Sequence, residues 1–392
     1  MSKSIIHLNF SRAGGAGAVA RLLHEEQRAQ GLDSQFHYVI DKDLRSQPLS
    51  APLHTAAAGL DDAMIRNPSF NAPISLLRDK TQGPSASDIQ RADIVHLHGI
   101  NGALPGRFIE QLSEHQRVVW TLHDMNPFTG ACHYSLGCDK FQRDCGACPA
   151  VRKPFQSLVS TNLKRKRKFV DALPHLRLVA PSQWLADQAS GSAILGGRTV
   201  SVQENPINPA FFAERVPPKN LDSEAKTFVV VAKNLDDPVK NVSLAVQAFH
   251  EEFDTSEKTQ MILIGAGGQG FASESVMVRG PQSAEKLRGT LASATALIVP
   301  SLAENSPLVV PEAAAAGCLA LVAQAGGMPE LVETVGQGHV FGDKGQLRQA
   351  MRDSVVPRAN QSQAAKKRLA ATAKTVFSPT AAVAGYAKVY SG

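Results

Sequence analysis

The stretch that decides the fold lies near the start of the chain. Ile5-Ile6-His7-Leu8-Asn9-Phe10 is followed by the glycine-rich turn Gly14-Gly15-Ala16-Gly17 and by an amphipathic run from Val19 to Gln30. The apolar residues 5–10 predict a short buried strand, and the run predicts a helix that ends at Gly31. Phe36–Ile40 is the next apolar segment. Strand, turn, helix and strand in this order predict a parallel sheet covered by helices on both faces.

The same alternation continues along the chain, with one pause. Two prolines within Asn205-Pro206-Ile207-Asn208-Pro209 indicate a linker. The strands predicted on either side are Ile94–Leu97, Val118–Leu122, Leu176–Ala180, Phe228–Ala232, Met261–Ile264, Ala296–Val299 and Leu319–Val322. The sequence therefore predicts two similar α/β domains, residues 1–205 and 206–375, with a last segment over 376–392.

Composition excludes several classes of protein. With 43% hydrophobic and 19% charged residues, a chain of 392 residues buries large cores and is not disordered. No apolar run approaches the roughly 20 residues of a membrane-spanning helix. The apolar run at Ile5 and Ile6 is too short for a signal peptide. Five cysteines are few for a disulfide scaffold, so we expect a cytoplasmic protein.

Two glycine-rich turns are candidate phosphate sites. Gly15–Ala20 has G-x-G-x-x-A spacing at a predicted helix start, and Asp41 stands where a dinucleotide site places its ribose-binding acid. A tight turn without a ligand fits the same residues. Gly265–Gly270 repeats the glycine spacing but has no room for a crossover helix. Gly265 therefore belongs either to a loop near a ligand or to a plain turn.

The most informative segment runs from Ser301 to Gly317. Glu304 follows a predicted strand, and Glu312 lies eight residues later in the first turn of a helix. Two carboxylates at a helix start can hold sugar hydroxyls while the amides between them hold phosphate. A solvated loop residue and a simple helix-dipole partner explain the same pair. Upstream, Lys240 near another helix start can reach a diphosphate, although most lysines at such positions are solvated.

Four further motifs accompany the Glu304 and Glu312 pair. They are Gly326-Gly327-Met328-Pro329-Glu330, Thr121-Leu122-His123-Asp124, Pro127-Phe128-Thr129-Gly130 and Phe377–Tyr390. With them the chain resembles the bacterial retaining glycosyltransferases of family 4, and most closely the branch that builds exopolysaccharides such as colanic acid. The resemblance implies the GT-B fold: two Rossmann-like domains facing a cleft, and a C-terminal helix that crosses back to the first domain.

The resemblance also implies roles in the second domain. Glu312 would bind the donor's ribose, and Lys240 would neutralise the leaving diphosphate. Glu304 would hold the transferred sugar and its phosphate, together with the backbone amides of a short segment. The residues of that segment named as donor-binding are Asn305, Ser306 and Leu308. Many members carry an arginine shortly before the lysine, whereas this chain has Asn234 there, so Lys233 is the candidate for the second charge.

In the first domain the resemblance implies that His123 faces the donor sugar across the cleft. Gly14, Gly15 and Gly17 would let the backbone approach that sugar. His123, Glu304 and Lys240 are thus the catalytic candidates. Because lysine and helix dipoles can neutralise the phosphates, we expect no metal in catalysis. The Asp-x-Asp triplet Asp41-Lys42-Asp43 is interpreted as a solvated loop start.

A cysteine cluster stands apart from these motifs. Cys132, Cys138, Cys145 and Cys148 fall within 17 residues of a loop placed at 131–149. Four thiolates can close a tetrahedral structural zinc site, and the alternatives are reduced surface thiols or an artefactual disulfide.

Basic residues are concentrated in one stretch. The net charge is +6, and eight basic side chains but one acid fall between residues 151 and 180. Lys164–Lys168 lies in a predicted helix over 157–172. It is interpreted either as a solvated face or as a contact with an anionic membrane surface, which would make the protein peripheral on the inner face. Nucleic acid is not expected, because no aromatic residues interleave the run.

The predicted function is therefore a retaining glycosyltransferase that moves a sugar from a nucleotide-sugar donor to a glycan or lipid-linked acceptor. Two alternatives use the same residues. An NAD-dependent oxidoreductase would use Gly15–Ala20 and Asp41, and a non-catalytic module would bind sugar or lipid on the same fold.

Overall fold

The computed structural model describes residues 3–9, 14–38, 64–76, 86–100, 112, 115–213, 226–253, 258–356 and 362–391. The chain forms two compact units. The first comprises Met1–Glu204 with Ala382–Gly392, and the second comprises Asn205–Ala381. No helix among the described residues is long and apolar enough to cross a membrane. Asp41, Lys42 and Asp43 lie outside the described residues.

The first unit is built on a six-stranded parallel sheet. Its strands are β1 (Ile5–Asn9), β2 (Ser34–Tyr38), β3 (Ile94–Leu97), β4 (Arg117–Thr121), β5 (Arg177–Ala180) and β6 (Val200–Val202). Its helices are α1 (Gly15–Ala29), α2 (Ala86–Arg91), α3 (Gln156–Asp171) and α4 (Gln183–Ser190). The strand order is β2-β1-β3-β4-β5-β6, so the chain reverses its direction of travel between β1 and β3. Open parallel sheets bind ligands at such a switch point, beyond the carboxyl ends of the strands.

The second unit repeats this plan. Its strands are β7 (Lys226–Asn234), β8 (Thr259–Ala266), β9 (Val276–Arg279), β10 (Ala296–Val299), β11 (Leu319–Ala323) and β12 (His339–Phe341). Its helices are α5 (Val242–Phe253), α6 (Ala284–Ser293), α7 (Val309–Ala315), α8 (Met328–Val335), α9 (Lys344–Val355) and α10 (Gln363–Phe377). The order is β12-β11-β10-β7-β8-β9, which places the switch point between β7 and β10.

The core of the second unit fills both faces of its sheet. Ile262 and Leu297 belong to a cluster on one face, and Phe228 and Leu321 belong to a cluster on the other. Strands that bury both faces need apolar residues at successive positions, which is the pattern of this sheet. The predicted class, two Rossmann-like α/β domains, is confirmed.

The last helix, α11 (Pro379–Ser391), packs on the first unit. Ala382, Val383, Tyr386 and Tyr390 share a buried cluster with residues of β1, α1, β3, β4 and β5. Arg177 Nη1 adds a hydrogen bond of 2.7 Å to the Val389 carbonyl oxygen. The return of the C-terminal helix to the first unit follows from this apolar face.

Three strands were not predicted as such, namely β6, β9 and β12. Each is three or four residues long and lies at or near the edge of its sheet. Edge strands are commonly short and half-exposed, so they carry little apolar pattern. For β9 the sequence showed an apolar stretch at Val276–Val278 but not its pairing with β8.

Candidate functional site

The switch point of the second sheet brings together two loops that carry candidate residues. The chain leaves β7 and enters a 3-10 turn at Pro238–Lys240, and beyond β10 it enters the loop that carries Glu304. The loops are joined by backbone and side-chain hydrogen bonds. Leu302 N donates to the Val239 carbonyl oxygen at 2.8 Å, and Asn241 Nδ2 donates to the Pro300 carbonyl oxygen at 3.2 Å. The position of each loop therefore depends on the other.

Lys240 and Glu304 form an ion pair at this point. Lys240 Nζ lies 2.6 Å from Glu304 Oε1, and Ser301 Oγ lies 3.1 Å from the same oxygen. The Glu304 residue is only 8% exposed, so the pair is poorly screened by water. The sequence assigned the two side chains separate roles and did not predict that they bind each other or that Ser301 joins them.

Gly326 holds the backbone of Glu304 in place. Gly326 has φ of +60°, and a Cβ on it would lie 1.7 Å from the Glu304 carbonyl oxygen. Gly327 N donates to that same oxygen at 3.0 Å. The sequence motif contained both glycines, but their link to Glu304 became visible only in three dimensions.

Glu312 lies in the first turn of α7, four residues beyond Leu308 and seven beyond Asn305. Burial raises the pKa of its carboxyl to about 7. Asn305 is buried, whereas Ser306 and Leu308 are half-buried. Glu312 can therefore change its charge near neutral pH, which a solvated helix-dipole partner would not do.

The remaining second-unit candidates surround the end of β7. Lys233 and Asn234 are exposed, and Asn234 Oδ1 accepts a hydrogen bond from Asp236 N at 3.2 Å. A Cβ on Gly265 would lie 2.1 Å from the Ala232 carbonyl oxygen. Close strand packing thus accounts for this glycine without a ligand, and its donor-binding role stays a prediction.

In the first unit, Gly14, Gly15 and Gly17 lie where β1 passes into α1. Gly14 has φ of +95°, and its carbonyl oxygen accepts a hydrogen bond from Ala18 N at 3.1 Å. Gly17 is buried. These glycines let the chain turn sharply at the first switch point, and their proposed approach to a sugar stays a prediction.

His123 lies just beyond β4, next to the same switch point. It is half-buried, and its Nε2 lies 3.1 Å from Nδ1 of the fully buried His98. Loss of contact with water lowers the pKa of His123 to about 4, against a smaller opposite effect of Asp124. The imidazole is therefore neutral at physiological pH.

The cysteine loop is compact. Cys132, Cys145 and Cys148 are buried, and Cys138 is half-buried. A hydrogen bond with Cys148 and burial raise the pKa of the Cys132 thiol, and the charges of Cys148, Cys145 and Cys138 add to this. Cys132 and Cys148 are thus in contact, and Cys138 and Cys145 lie near enough to act on Cys132 through their charges. Among the described residues, however, no three of the four sulfurs lie within 4.8 Å of one another, whereas ligand atoms of His7, His96 and His98 do.

Lys166 does not fit either interpretation of the basic run Lys164–Lys168, a solvated face or a membrane contact. Lys166 is only 5% exposed, so it belongs neither to a solvated face nor to a membrane contact. Its Nζ donates to the Asn126 Oδ1 and Thr129 carbonyl oxygens, both at 3.0 Å. Burial lowers its pKa to about 8. The helical period turns Lys166 inward while Lys164, Arg165, Arg167 and Lys168 stay exposed.

Comparison with known proteins finds that the chain is similar to glycosyltransferases. Residues 225–355 match the model of the family described as Glycosyl transferases group 1. The chain is 23% identical over 359 residues to WcaC of Escherichia coli K12, named a colanic acid biosynthesis glycosyl transferase, and this match covers 85% of the chain and 86% of WcaC.

Solved structures share the fold over its whole length. Anabaena HepE in complex with UDP-glucose superposes with a TM-score of 0.62 at 16% identity, covering 99% of both chains. WaaG, a glycosyltransferase of lipopolysaccharide biosynthesis, gives 0.62 at 13% identity and covers 99% of this chain and 100% of its own. At these identities the likeness establishes the fold.

Proposed function

We propose that the chain is a glycosyltransferase that transfers a sugar with retention of configuration from a nucleotide-sugar donor to a glycan or lipid-linked acceptor. The observation that carries this proposal is the Lys240–Glu304 pair at the switch point of the second sheet, 2.6 Å apart and inside the matched region 225–355. Neither the oxidoreductase nor the non-catalytic alternative gains support from the comparisons.

The proposed chemistry follows from charge. When the bond between the sugar and its diphosphate breaks, negative charge grows on the phosphate oxygens. A preorganised cation in a water-poor site stabilises that charge strongly, and Lys240 supplies it. Glu304 holds the ammonium group in position and contacts the sugar, while the backbone N–H groups of Asn305, Ser306 and Leu308 face the phosphate. Because Lys240 and the amides neutralise the leaving group, the proposal requires no catalytic metal.

The test of the reaction is to incubate the purified protein with UDP-, GDP- and ADP-sugars and follow the released sugar by NMR. We expect one donor to be cleaved and the first-formed product to keep the anomeric configuration of that donor. Release of the opposite anomer would contradict retention. No cleavage of any donor, with NAD bound instead, would contradict the proposed function.

We further propose that Glu312 binds the donor's ribose as a carboxylate. Because burial raises its pKa to about 7, the carboxyl is largely neutral at pH 6 and ionised at pH 8. We expect donor affinity to rise by up to about tenfold between these pH values, one ionisation corresponding to tenfold per pH unit. Glu312→Gln should bind weakly and without this slope. An equal slope in both proteins would contradict the role of Glu312.

The same shift predicts the effect of pH on stability. A carboxyl whose folded pKa is raised stabilises the fold below its unfolded pKa, and this contribution is lost as pH rises through about 7. Without donor, the wild type should therefore lose more stability than Glu312→Gln between pH 5 and pH 8, as denaturant unfolding would measure.

We propose a structural zinc ion held by Cys132, Cys138, Cys145 and Cys148, because one loop carries four cysteines and Cys132 contacts Cys148. Thiolates are the ligands that Zn²⁺ prefers in closed structural sites. We expect one zinc per chain by elemental analysis. Cys145→Ser with Cys148→Ser should abolish it and lower the melting temperature by about 5 °C or more. Cys318→Ala, outside the loop, should keep the metal. A zinc-free wild type with the same melting temperature as the double variant would contradict this site.

An anionic membrane surface is proposed to contact the exposed face of α3. Lys164, Arg165, Arg167 and Lys168 are exposed there, and Leu158 is 45% exposed on the same helix. Near an anionic surface each basic residue contributes about 1 kcal/mol. Vesicles with anionic phosphatidylglycerol should therefore bind the wild type at least tenfold better than Lys164→Glu with Lys168→Glu. Lys344→Glu, on α9, is the control. Equal binding by all three proteins would contradict the proposal.

A further inference from the structure

Four histidines of the first unit form a continuous hydrogen-bonded network with Gln27. The chain of contacts runs from Gln27 Oε1 to His7 Nε2 at 2.7 Å, and from His7 Nδ1 to His98 Nε2 at 3.0 Å. It ends at His123, whose Nε2 lies 3.1 Å from His98 Nδ1. Gln27, His7 and His98 are at most 1% exposed. Of the four residues in this chain of contacts, His123 alone is half-buried, and it is the residue that the sequence analysis names as a catalytic candidate.

A branch leaves this chain at Gln27 and reaches the C-terminal helix. Gln27 Nε2 donates to the Tyr390 hydroxyl at 3.3 Å, which lies 2.7 Å from His96 Nδ1. His96 Nε2 lies 2.8 Å from Thr121 Oγ1. Both ring nitrogens of His7, His96 and His98 are therefore engaged by protein partners, so these three rings are explained without a metal ion, although their ligand atoms lie within 4.8 Å.

Burial keeps the rings neutral. It lowers the pKa of His7 to about 4, and it lowers the pKa values of His96 and His98 well below the ordinary histidine value. A neutral imidazole carries one N–H donor and one bare acceptor nitrogen. Each hydrogen bond in a chain of such rings therefore fixes the direction of the next one.

The direction is set at Gln27. Its Oε1 can only accept, and it also accepts from the Ser34 hydroxyl at 2.8 Å. His7 must then donate through Nε2 and accept at Nδ1. His98 must donate to that nitrogen through Nε2, and its own Nδ1 must accept from His123 Nε2. This order of donors and acceptors requires that His123 carry its proton on Nε2.

We propose that Gln27, His7 and His98 are positioning residues, which hold the His123 ring in the tautomer with a proton on Nε2. The inference rests on the proposed function for the catalytic role of His123. The tautomer itself follows from the network alone. A primary amide at the buried end does not shuttle protons, so the chain orients His123 and does not conduct protons through the unit.

The test combines ring-nitrogen NMR of protein labelled with ¹⁵N-histidine and donor kinetics. In the wild type we expect His7, His98 and His123 all to carry the proton on Nε2. His7→Phe removes both nitrogens of the first ring and leaves His98 free to donate from Nδ1. We expect the His123 proton to move to Nδ1, and kcat/KM for the donor to fall about tenfold to a hundredfold, as when an orienting partner of a functional histidine is lost. The melting temperature of each variant is recorded alongside.

Two further variants separate positioning from simple packing. Tyr386→Phe removes a buried hydroxyl that contacts Thr121 at 2.8 Å, in the same core but outside the chain of three rings. It should leave the His123 tautomer and kcat/KM unchanged. His7→Gln retains one donor and one acceptor and should recover part of both readouts.

Several outcomes would overturn the proposal. A wild-type His123 protonated on Nδ1 would do so, and this measurement needs no variant. An unchanged tautomer and kcat/KM in folded His7→Phe would also do so. One equivalent of metal in the native protein, lost in His7→Phe, would show that the rings are ligands instead. If no donor is cleaved but the tautomers are as expected, the proposed function fails while the order of the network stands.

Discussion

Glu304→Gln is expected to lower donor turnover by about a hundredfold or more, the range seen when a preorganised electrostatic group is removed from an active site. The amide keeps the shape of the side chain but cannot hold the Lys240 ammonium group with a charge. Lys240 Nζ would then lose its partner at 2.6 Å in a site where Glu304 is only 8% exposed. Steady-state kinetics of donor cleavage measures the effect.

A double-mutant cycle makes this prediction specific. Lys240→Met should cost about as much as Glu304→Gln, and the double variant should be little worse than either, because residues that act as a unit are not additive. Glu333→Gln, an exposed glutamate on α8, is the matched control and should retain full activity. Independent, multiplying losses at Lys240 and Glu304 would show that the two side chains do not act as a pair.

Gly326→Ala is expected to impair both stability and turnover. Its Cβ would lie 1.7 Å from the Glu304 carbonyl oxygen, and that backbone atom cannot swing away as a flexible side chain can. The loop must shift, and Glu304 moves with it. We expect a loss of about 3 kcal/mol or more in the free energy of unfolding, in the range of severe steric substitutions. We also expect turnover to fall about a hundredfold, as a displacement of about 1 Å suffices for that.

The chain contains a matched control for this change. Gly336 has φ of +73°, close to that of Gly326, but a Cβ there would meet nothing within 4 Å. Gly336→Ala should therefore cost only the left-handed conformation, about 1–2 kcal/mol, and leave turnover intact. Denaturant unfolding and kinetics of the two variants separate backbone strain from collision. If Gly326→Ala behaves like Gly336→Ala in both assays, Gly326 does not position Glu304.

Much of the fold could be predicted from local pattern. Apolar runs such as Ile94–Leu97 and Ala296–Val299 coincide with strands β3 and β10, because buried parallel strands need continuous apolar residues. The short edge strands were not predicted, because half-exposed segments carry no such pattern. The buried position of Lys166 escaped prediction as well, since five consecutive basic residues mask the helical period.

The candidate site was predictable in its members more than in its contacts. The spacing of Glu304 and Glu312 indicated a ligand site, yet the ion pair joins residues 64 positions apart in sequence. The histidine network shows even more clearly that contacts between distant residues could not be predicted from the sequence. His7, His98 and His123 stand on three neighbouring strands or just beyond them, and only the order β1-β3-β4 makes them consecutive. Contacts set by sheet order are not visible in local spacing.

The most direct test of the account is calorimetric titration of UDP-, GDP- and ADP-sugars into the wild type, Lys240→Met and Glu312→Gln. The account predicts that donors of one nucleotide bind the wild type and that each variant, still folded, loses at least about tenfold in affinity, or about 1.4 kcal/mol. Equal donor affinity in all three proteins would contradict the placement of the donor site at the switch point of the second sheet.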